Sequence, residues 1–309
     1  MILFSHNITL RNEFMKDNPI INHLLASFTI FVWGITFVCT KHLEYHFSAL
    51  EILFIRYFIA YIALWILCPK FMPFKSFKDE LYIFGASLSG ASLYQYLENL
   101  SVVYTSPSSV SFITAIAPIF TALLAHKYLG EKLTVKLMVG MFVSLVGVFF
   151  ICFGDAHKIE TGLLGDIIIF CTVWLWAIYS VLIKKLSEKG YTGFQVTRRI
   201  FFYSLLSMIP FMLLKGKPMN LSGFTGLNTF FLFFLGFFAS ALCFATWNRS
   251  VETLGATTSS KYLFVMPVIT LVCQAFYDSS AIGIYALLGM FITLLGIGIT
   301  EFDLKRIKK

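Results

Sequence analysis

A carboxylate at Glu98 stands in the largely apolar run 81–103, and a guanidinium at Arg56 stands in the run 48–68. An ionised group in hydrocarbon is costly enough to be a functional candidate by default. Glu98 falls about five residues from one end of its run and Arg56 about eight from the start of its own. At 1.5 Å per residue these are depths of roughly 8 and 12 Å, so the two side chains can meet as a buried ion pair. Such a pair reads either as a fixture of helix packing or as a carboxylate that takes up a coupling proton or contacts a cation.

Other candidates surround them. Tyr94, Gln95 and Glu98 lie within one helical turn, with Asn99 adjoining, and Phe244, Trp247 and Asn248 form the equivalent stripe 149 residues later. Stripes of this kind bond neighbouring helices or line a cavity; their recurrence at two equivalent places favours the cavity. Trp33 and Trp176 are matched at an offset of 143. Ser109 and Phe112 correspond to Thr258 and Lys261, with Tyr262 next along. Lys261 reads as a cation snorkelling to water or, if it faces a cavity, as the holder of a substrate carboxylate while Glu98 holds an ammonium group. Its depth argues against pairing with Glu98. Pro118 and Pro267 occupy the middle of matched runs, where each removes a backbone hydrogen bond and can act as a hinge. Arg198 and Arg199 open another run, where anchoring to lipid phosphates is the ordinary reading. The six cysteines form no CxxC pair, and no motif for nucleotide, metal or acyl-transfer chemistry occurs, so no catalytic residue, metal or cofactor is expected.

These residues need elements to hold them. The chain is 58% hydrophobic and 13% charged, with a mean hydropathy of +0.80, whereas soluble domains average about 25% charged residues. Lipid must therefore be the solvent. Ten runs approach the roughly 20 apolar residues that one crossing requires: about 20–40, 48–68, 81–103, 107–127, 134–153, 162–184, 194–214, 228–249, 256–276 and 281–302. Of the 24 lysines and arginines, only Lys41, Lys158, Lys215 and Lys217 fall in connections on one side, and Arg56 and Lys261 lie within spans. The others share the opposite side with both termini, which predicts cytoplasmic termini. The net charge of +8 is thus a topology signal and not a nucleic-acid footprint. Residues 1–19 lack the pattern of a cleaved leader, and Asn7-Ile8-Thr9 and Asn220-Leu221-Ser222 match the short glycosylation pattern.

The chain repeats itself. Residues 99–147 and 248–296 run in step without a gap: Asn99/Asn248, Ser101/Ser250, Pro118/Pro267, Gly140/Gly289 and Gly147/Gly296 all pair. WGITFVCTKHL from Trp33 likewise parallels WAIYSVLIKKL from Trp176. Five spans per copy is an odd number, which turns the second copy over in the membrane and predicts two inverted repeats around a central pathway open alternately to each side.

The ten-span pattern, the WGxxF of Trp33–Phe37, Arg56 in LFIRYFIAY, and the stretch from Tyr96 to Thr134 together resemble the EamA-type members of the drug/metabolite transporter superfamily. The likeness runs from about residue 20 to 302. It departs in the second half, where Ser280 replaces the acid equivalent to Glu131. It implies a first EamA-like five-helix repeat over 20–155 and a second over 162–302, flanked by an N-terminal cytoplasmic segment (1–19) and a basic tail (303–309). In that arrangement spans one to four and six to nine surround the cavity, with five and ten at the side.

The resulting expectation is an all-α membrane protein of ten transmembrane helices in two inverted repeats, in a bacterial inner membrane. It would move small metabolites, amino acids or aromatic compounds, by alternating access, in the export direction, with a proton as candidate coupling ion and no nucleic-acid partner. The alternatives are a nucleotide-sugar or sugar-phosphate exchanger, which needs several cavity cations, and a membrane-embedded enzyme or a receptor.

Overall fold

The structure is a computed structural model that describes residues 19–105, 107–153, 162–214, 221–278 and 282–301. The N-terminal segment, the basic tail, both glycosylation-pattern asparagines, Lys158, Lys215, Lys217 and Ser280 lie outside the described residues. Every regular element among the described residues is helical: α1 (Pro19–Glu44), α2 (Ala49–Leu67), α3 (Phe77–Ser87), α4 (Leu93–Tyr104), α5 (Pro107–Thr114), α6 (Ala117–Leu129), α7 (Val135–Phe153), α8 (Leu163–Glu188), α9 (Gly193–Leu214), α10 (Gly226–Phe233), α11 (Cys243–Leu254), α12 (Ala256–Ser260), α13 (Met266–Asp278) and α14 (Ile284–Glu301). Eight helical runs among the described residues are long and apolar enough to cross a membrane, and Ile284–Thr300 is a shorter apolar helix. The expected third span coincides with the run from α3 to α4, whose first turn carries Asp79 and Glu80.

Local chemistry sets the ends. Ser48 and Glu51 make a reciprocal capping box at the start of α2, which satisfies two of the free backbone donors there. Ser76 accepts from the Asp79 N–H and Thr225 from the Asn228 N–H, so α3 and α10 begin with the same cap 149 residues apart. Gly130, with φ of 70°, closes α6 in the left-handed conformation that glycine alone adopts freely.

The strongest evidence for inversion is the crossing of α7 and α14, which occupy equivalent places in the two copies. Gly140 faces the Gly296 carbonyl and Gly147 faces the Gly289 carbonyl; a Cβ on any of these four glycines would come within 2.7 Å of the facing oxygen. Between them Ser144 Oγ donates to the Thr293 carbonyl at 3.2 Å, and Thr293 Oγ1 points back to the Ser144 carbonyl at 3.5 Å. Ascending residues on one helix meet descending residues on the other, so the helices are antiparallel. Equivalent helices that run antiparallel can belong only to inverted copies. Small residues let the backbones close to this distance, which is how helices associate where lipid removes the hydrophobic drive.

Four interruptions mark the helices around the centre. π-helical segments at Leu88–Ser92 and Phe234–Leu242 join α3 to α4 and α10 to α11. A turn at 115–116 separates α5 from α6, and a 3₁₀ segment, Lys261–Val265, separates α12 from α13. Pro118 and Pro267 thus do not kink continuous helices. Each sits in the first turn of a half-helix, where its missing N–H costs nothing. A large side chain at the α7–α14 crossing is an overpacking defect of roughly 1–3 kcal/mol. Gly147→Leu is expected to lower the thermal midpoint in detergent by about 3 °C or more. Gly298→Leu, at a glycine with open space around it, should leave it unchanged; equal behaviour of the two variants would contradict the crossing.

Candidate functional site

Trp33, Thr36 and Phe37 from α1, Arg56 from α2, Tyr94, Gln95 and Glu98 from α4, Thr114 and Ala117 from α5 and α6, Trp176 from α8, Phe244 from α11, and Leu263 and Met266 line one cavity of about 40 Å³. Its walls are aromatic. Trp33 meets Trp176 edge-on at 5.5 Å and Phe244 at 5.4 Å, while Tyr94 leans on Trp176 at 5.2 Å. The two matched tryptophans therefore meet at the centre of the molecule. Trp33 Nε1 donates to the Ala239 carbonyl at 2.9 Å, a carbonyl in the second π-helical segment, and that bond fixes the ring.

The polar groups are few. Tyr94 donates its hydroxyl to Glu98 Oε1 at 3.0 Å, and Gln95 Nε2 reaches Oε2 at 3.5 Å. Arg56 donates Nε to Ser240 Oγ at 2.9 Å. The anticipated Glu98–Arg56 ion pair is not formed, because Ser240 and Tyr94 engage the two groups separately. Both remain buried, 9% and 5% exposed, and line the same cavity. Gln95 Oε1, Thr114 Oγ1 and Trp176 Nε1 are buried without a hydrogen-bond partner among the described residues. A cavity that concentrates unsatisfied donors and acceptors is prepared for a polar ligand or water.

Other expected site residues fall elsewhere. Trp247 is fully buried behind Trp33 and Trp176. Asn248 accepts from the Tyr179 hydroxyl at 2.6 Å and donates to Thr197 at 2.8 Å, so it seals the packed half of the bundle. Its repeat partner Asn99 keeps an unpartnered Nδ2. Phe112 packs on Phe149 and Phe153, away from the cavity. Ser109 is buried in α5 and Lys261 in its 3₁₀ segment, and neither lines the cavity. Tyr262 shares a 2.6 Å hydrogen bond with His23 Nδ1. The lining residues not anticipated are Thr36, Phe37, Thr114, Ala117, Leu263 and Met266. A signal for four of them was present: Thr114 matches Leu263 and Ala117 matches Met266 at offset 149, immediately before the paired prolines.

The face of the bundle that holds Leu254 is closed by charge. Asp79 pairs with Lys189 and accepts from Tyr191 at 2.9 Å. Glu80 pairs with Arg199 and accepts from Tyr203 at 2.6 Å. Arg198 donates to the carbonyls of Cys68 and Lys70 and lies 3.9 Å above the Trp65 ring. Arg198 and Arg199 are thus engaged by protein groups, not by lipid phosphates. Glu131 reaches across from the first repeat and accepts from the backbone N–H groups of Ala256 and Thr257 at 2.8 and 2.9 Å, a carboxylate at the start of the ninth span.

A bundle of apolar helices built from inverted copies, with a polar and aromatic cavity at their junction, defines a multi-pass membrane transporter. The chain belongs to the EamA-like transporter family, whose model matches residues 20–153 and again 163–302. It is 30% identical over 209 residues to the uncharacterised transporter YyaM of Bacillus subtilis (strain 168), covering 67% of this chain and 68% of that protein. It is 25% identical to an uncharacterised transporter of Archaeoglobus fulgidus over 89% of this chain and 96% of the other. A probable terminal-alkyne amino-acid exporter of Streptantibioticus cattleyicolor is 27% identical over 60% of each chain. A solved crystal structure shares the fold, with a TM-score of 0.74 at 14% identity over 90% of this chain and 97% of that one.

The hydrogen bond from Lys189, with Tyr191 adding to it, holds the Asp79 carboxyl below its ordinary range. A carboxyl depressed in the folded state stabilises fully above its unfolded value of about 3.9, and the contribution is lost as pH falls through the folded value. The thermal midpoint of the purified protein is therefore expected to drop on acidification below about pH 4. Asp79→Asn should remove part of that drop while lowering the midpoint at pH 7; an unchanged acid limb would show that this pair does not close the face.

Proposed function

We propose that this protein carries small amphoteric metabolites, amino acids among them, across the bacterial inner membrane by alternating access, in the export direction. One observation carries the reading: Glu98 and Arg56 line a single aromatic cavity without pairing with each other. A molecule with an ammonium and a carboxylate satisfies both. Tryptophan and tyrosine faces suit the ammonium end and the apolar body between the charges. The likeness to a probable terminal-alkyne amino-acid exporter points the same way.

A buried carboxylate that forms no direct ion pair is also the natural binding place for a coupling proton, so Glu98 serves both cargo and driving ion. A phosphate-bearing cargo is disfavoured, because it needs several cations and Arg56 is the single Lys or Arg among the cavity residues. Lys261 is given no cargo contact here.

Counterflow of a labelled amino-acid mixture into liposomes tests this. The wild-type protein should exchange at least one amino acid and respond to an imposed pH gradient. Glu98→Gln should weaken exchange about 10- to 100-fold, the equivalent of one lost charge-assisted hydrogen bond of roughly 1.5–3 kcal/mol, and abolish the response to pH. Exchange that survives Glu98→Gln unchanged would remove Glu98 from the mechanism.

A further inference from the structure

Arg56 and Arg199 stand at matched positions, 143 residues apart, yet their surroundings differ. Arg199 is consumed by Glu80 and the Met72 carbonyl. The shared caps at Ser76 and Thr225 fix the register of the two copies here, and the residue matched to Glu80 is Thr229. The acid that symmetry would set beside Arg56 is absent.

Arg56 is buried all the same. Its Nε is held by Ser240, and its guanidinium carbon lies 5.9 Å from the Tyr57 ring centroid. Among the described residues no protein group accepts from its Nη atoms, and the side chain borders the cavity. Desolvating a guanidinium is expensive unless an acceptor meets it, so the cavity side of the group awaits an anion. Ser240 lies in the π-helical segment Phe234–Leu242, the segment whose Ala239 carbonyl also holds Trp33. A π-helical turn commonly marks a functional position because it re-aims one side chain relative to the α ladder.

We infer that Arg56 is the carboxylate subsite of the cavity and that Ser240 is its positioning residue, anchoring Nε so that the Nη edge presents two parallel donors to a planar carboxylate. This rests on the amphoteric cargo proposed above and assigns its two ends: ammonium to Glu98, carboxylate to Arg56. A planar two-donor edge selects a carboxylate in a way that a lysine ammonium does not. The protein therefore discriminates an amino acid from the amine left when its carboxylate is removed.

The probes are phenylalanine against phenethylamine and leucine against isoamylamine, with binding read from the fluorescence of the cavity tryptophans. The wild-type protein should favour the amino acid of at least one pair by about ten-fold or more. Ser240→Ala and Arg56→Lys should bring that ratio near one by weakening the amino acid alone. Amine binding should stay within about two-fold, which also shows that the variants are folded. Ser240→Thr, which keeps the hydroxyl, should restore selectivity. A Ser240→Ala variant with unchanged selectivity, or with both probes weakened equally, overturns the assignment. Wild-type protein that binds the amines and not the amino acids overturns the carboxylate subsite while leaving the Glu98 site standing. Binding of neither member of each pair overturns the amphoteric reading and the subsite with it.

Discussion

Backbone hydrogen bonding in a waterless medium governs this molecule. A segment facing hydrocarbon must satisfy each N–H and C=O within its own helix, and an irregular backbone survives only where protein or an aqueous space takes the place of lipid. The described helices obey this along their lipid-facing lengths and break it at four places. Two are π-helical segments and two are broken spans, matched in pairs between the copies. Thr114, Ala117 and Leu263 bring the two broken spans to the cavity. The carbonyl of Ala239 and the hydroxyl of Ser240 meet Trp33 and Arg56, so the irregular backbone becomes the mounting for two side chains of the cavity.

Duplication gives this architecture its economy, and divergence between the copies gives it chemistry. Gln95 is matched by Phe244, Glu98 by Trp247, Thr114 by Leu263 and Glu80 by Thr229. In each pair the more polar member belongs to the first copy. The second copy supplies bulk: Trp247 and Phe244 pack with Trp33 in the half that Asn248, Tyr179 and Thr197 seal. One repeat thus supplies most of the polar groups of the cavity and the other most of its packed bulk, although matched positions are used for both.

Much of this was legible in the sequence because it rests on patterns that survive in one dimension. Offsets of 149 and 143 revealed the duplication, and the odd span count gave its inversion, which the α7–α14 crossing supports residue by residue. Cost marked Glu98 and Arg56, since ionised groups in hydrocarbon stand out from their neighbours. What the sequence did not give was rotation. Phe112 and Lys261 share a repeat position with each other, but the helix turns both away from the cavity, and the residues five further on, Ala117 and Met266, line it instead. A π-helical segment adds to that uncertainty because no composition announces it, and it shifts the phase of everything beyond it. The Glu98–Arg56 bond failed for the same reason: depth along the helix placed the two at similar levels, and the azimuth sent Arg56 to Ser240.

The two faces of the bundle are fastened by different kinds of contact. At the Leu254 face two ion pairs and the Glu131 carboxylate join separate helices. Among the described residues the opposite face carries a hydrogen bond between Asn228 and His42 at 3.1 Å and an aromatic contact between Phe47 and Phe224. Mobile ions weaken the first kind and scarcely touch the second. In the alternating-access cycle proposed above, salt on the Leu254 side would loosen that closure most where its ion pairs are exposed and would leave the other closure as it was, so the balance between the two open states would follow the composition of a single compartment.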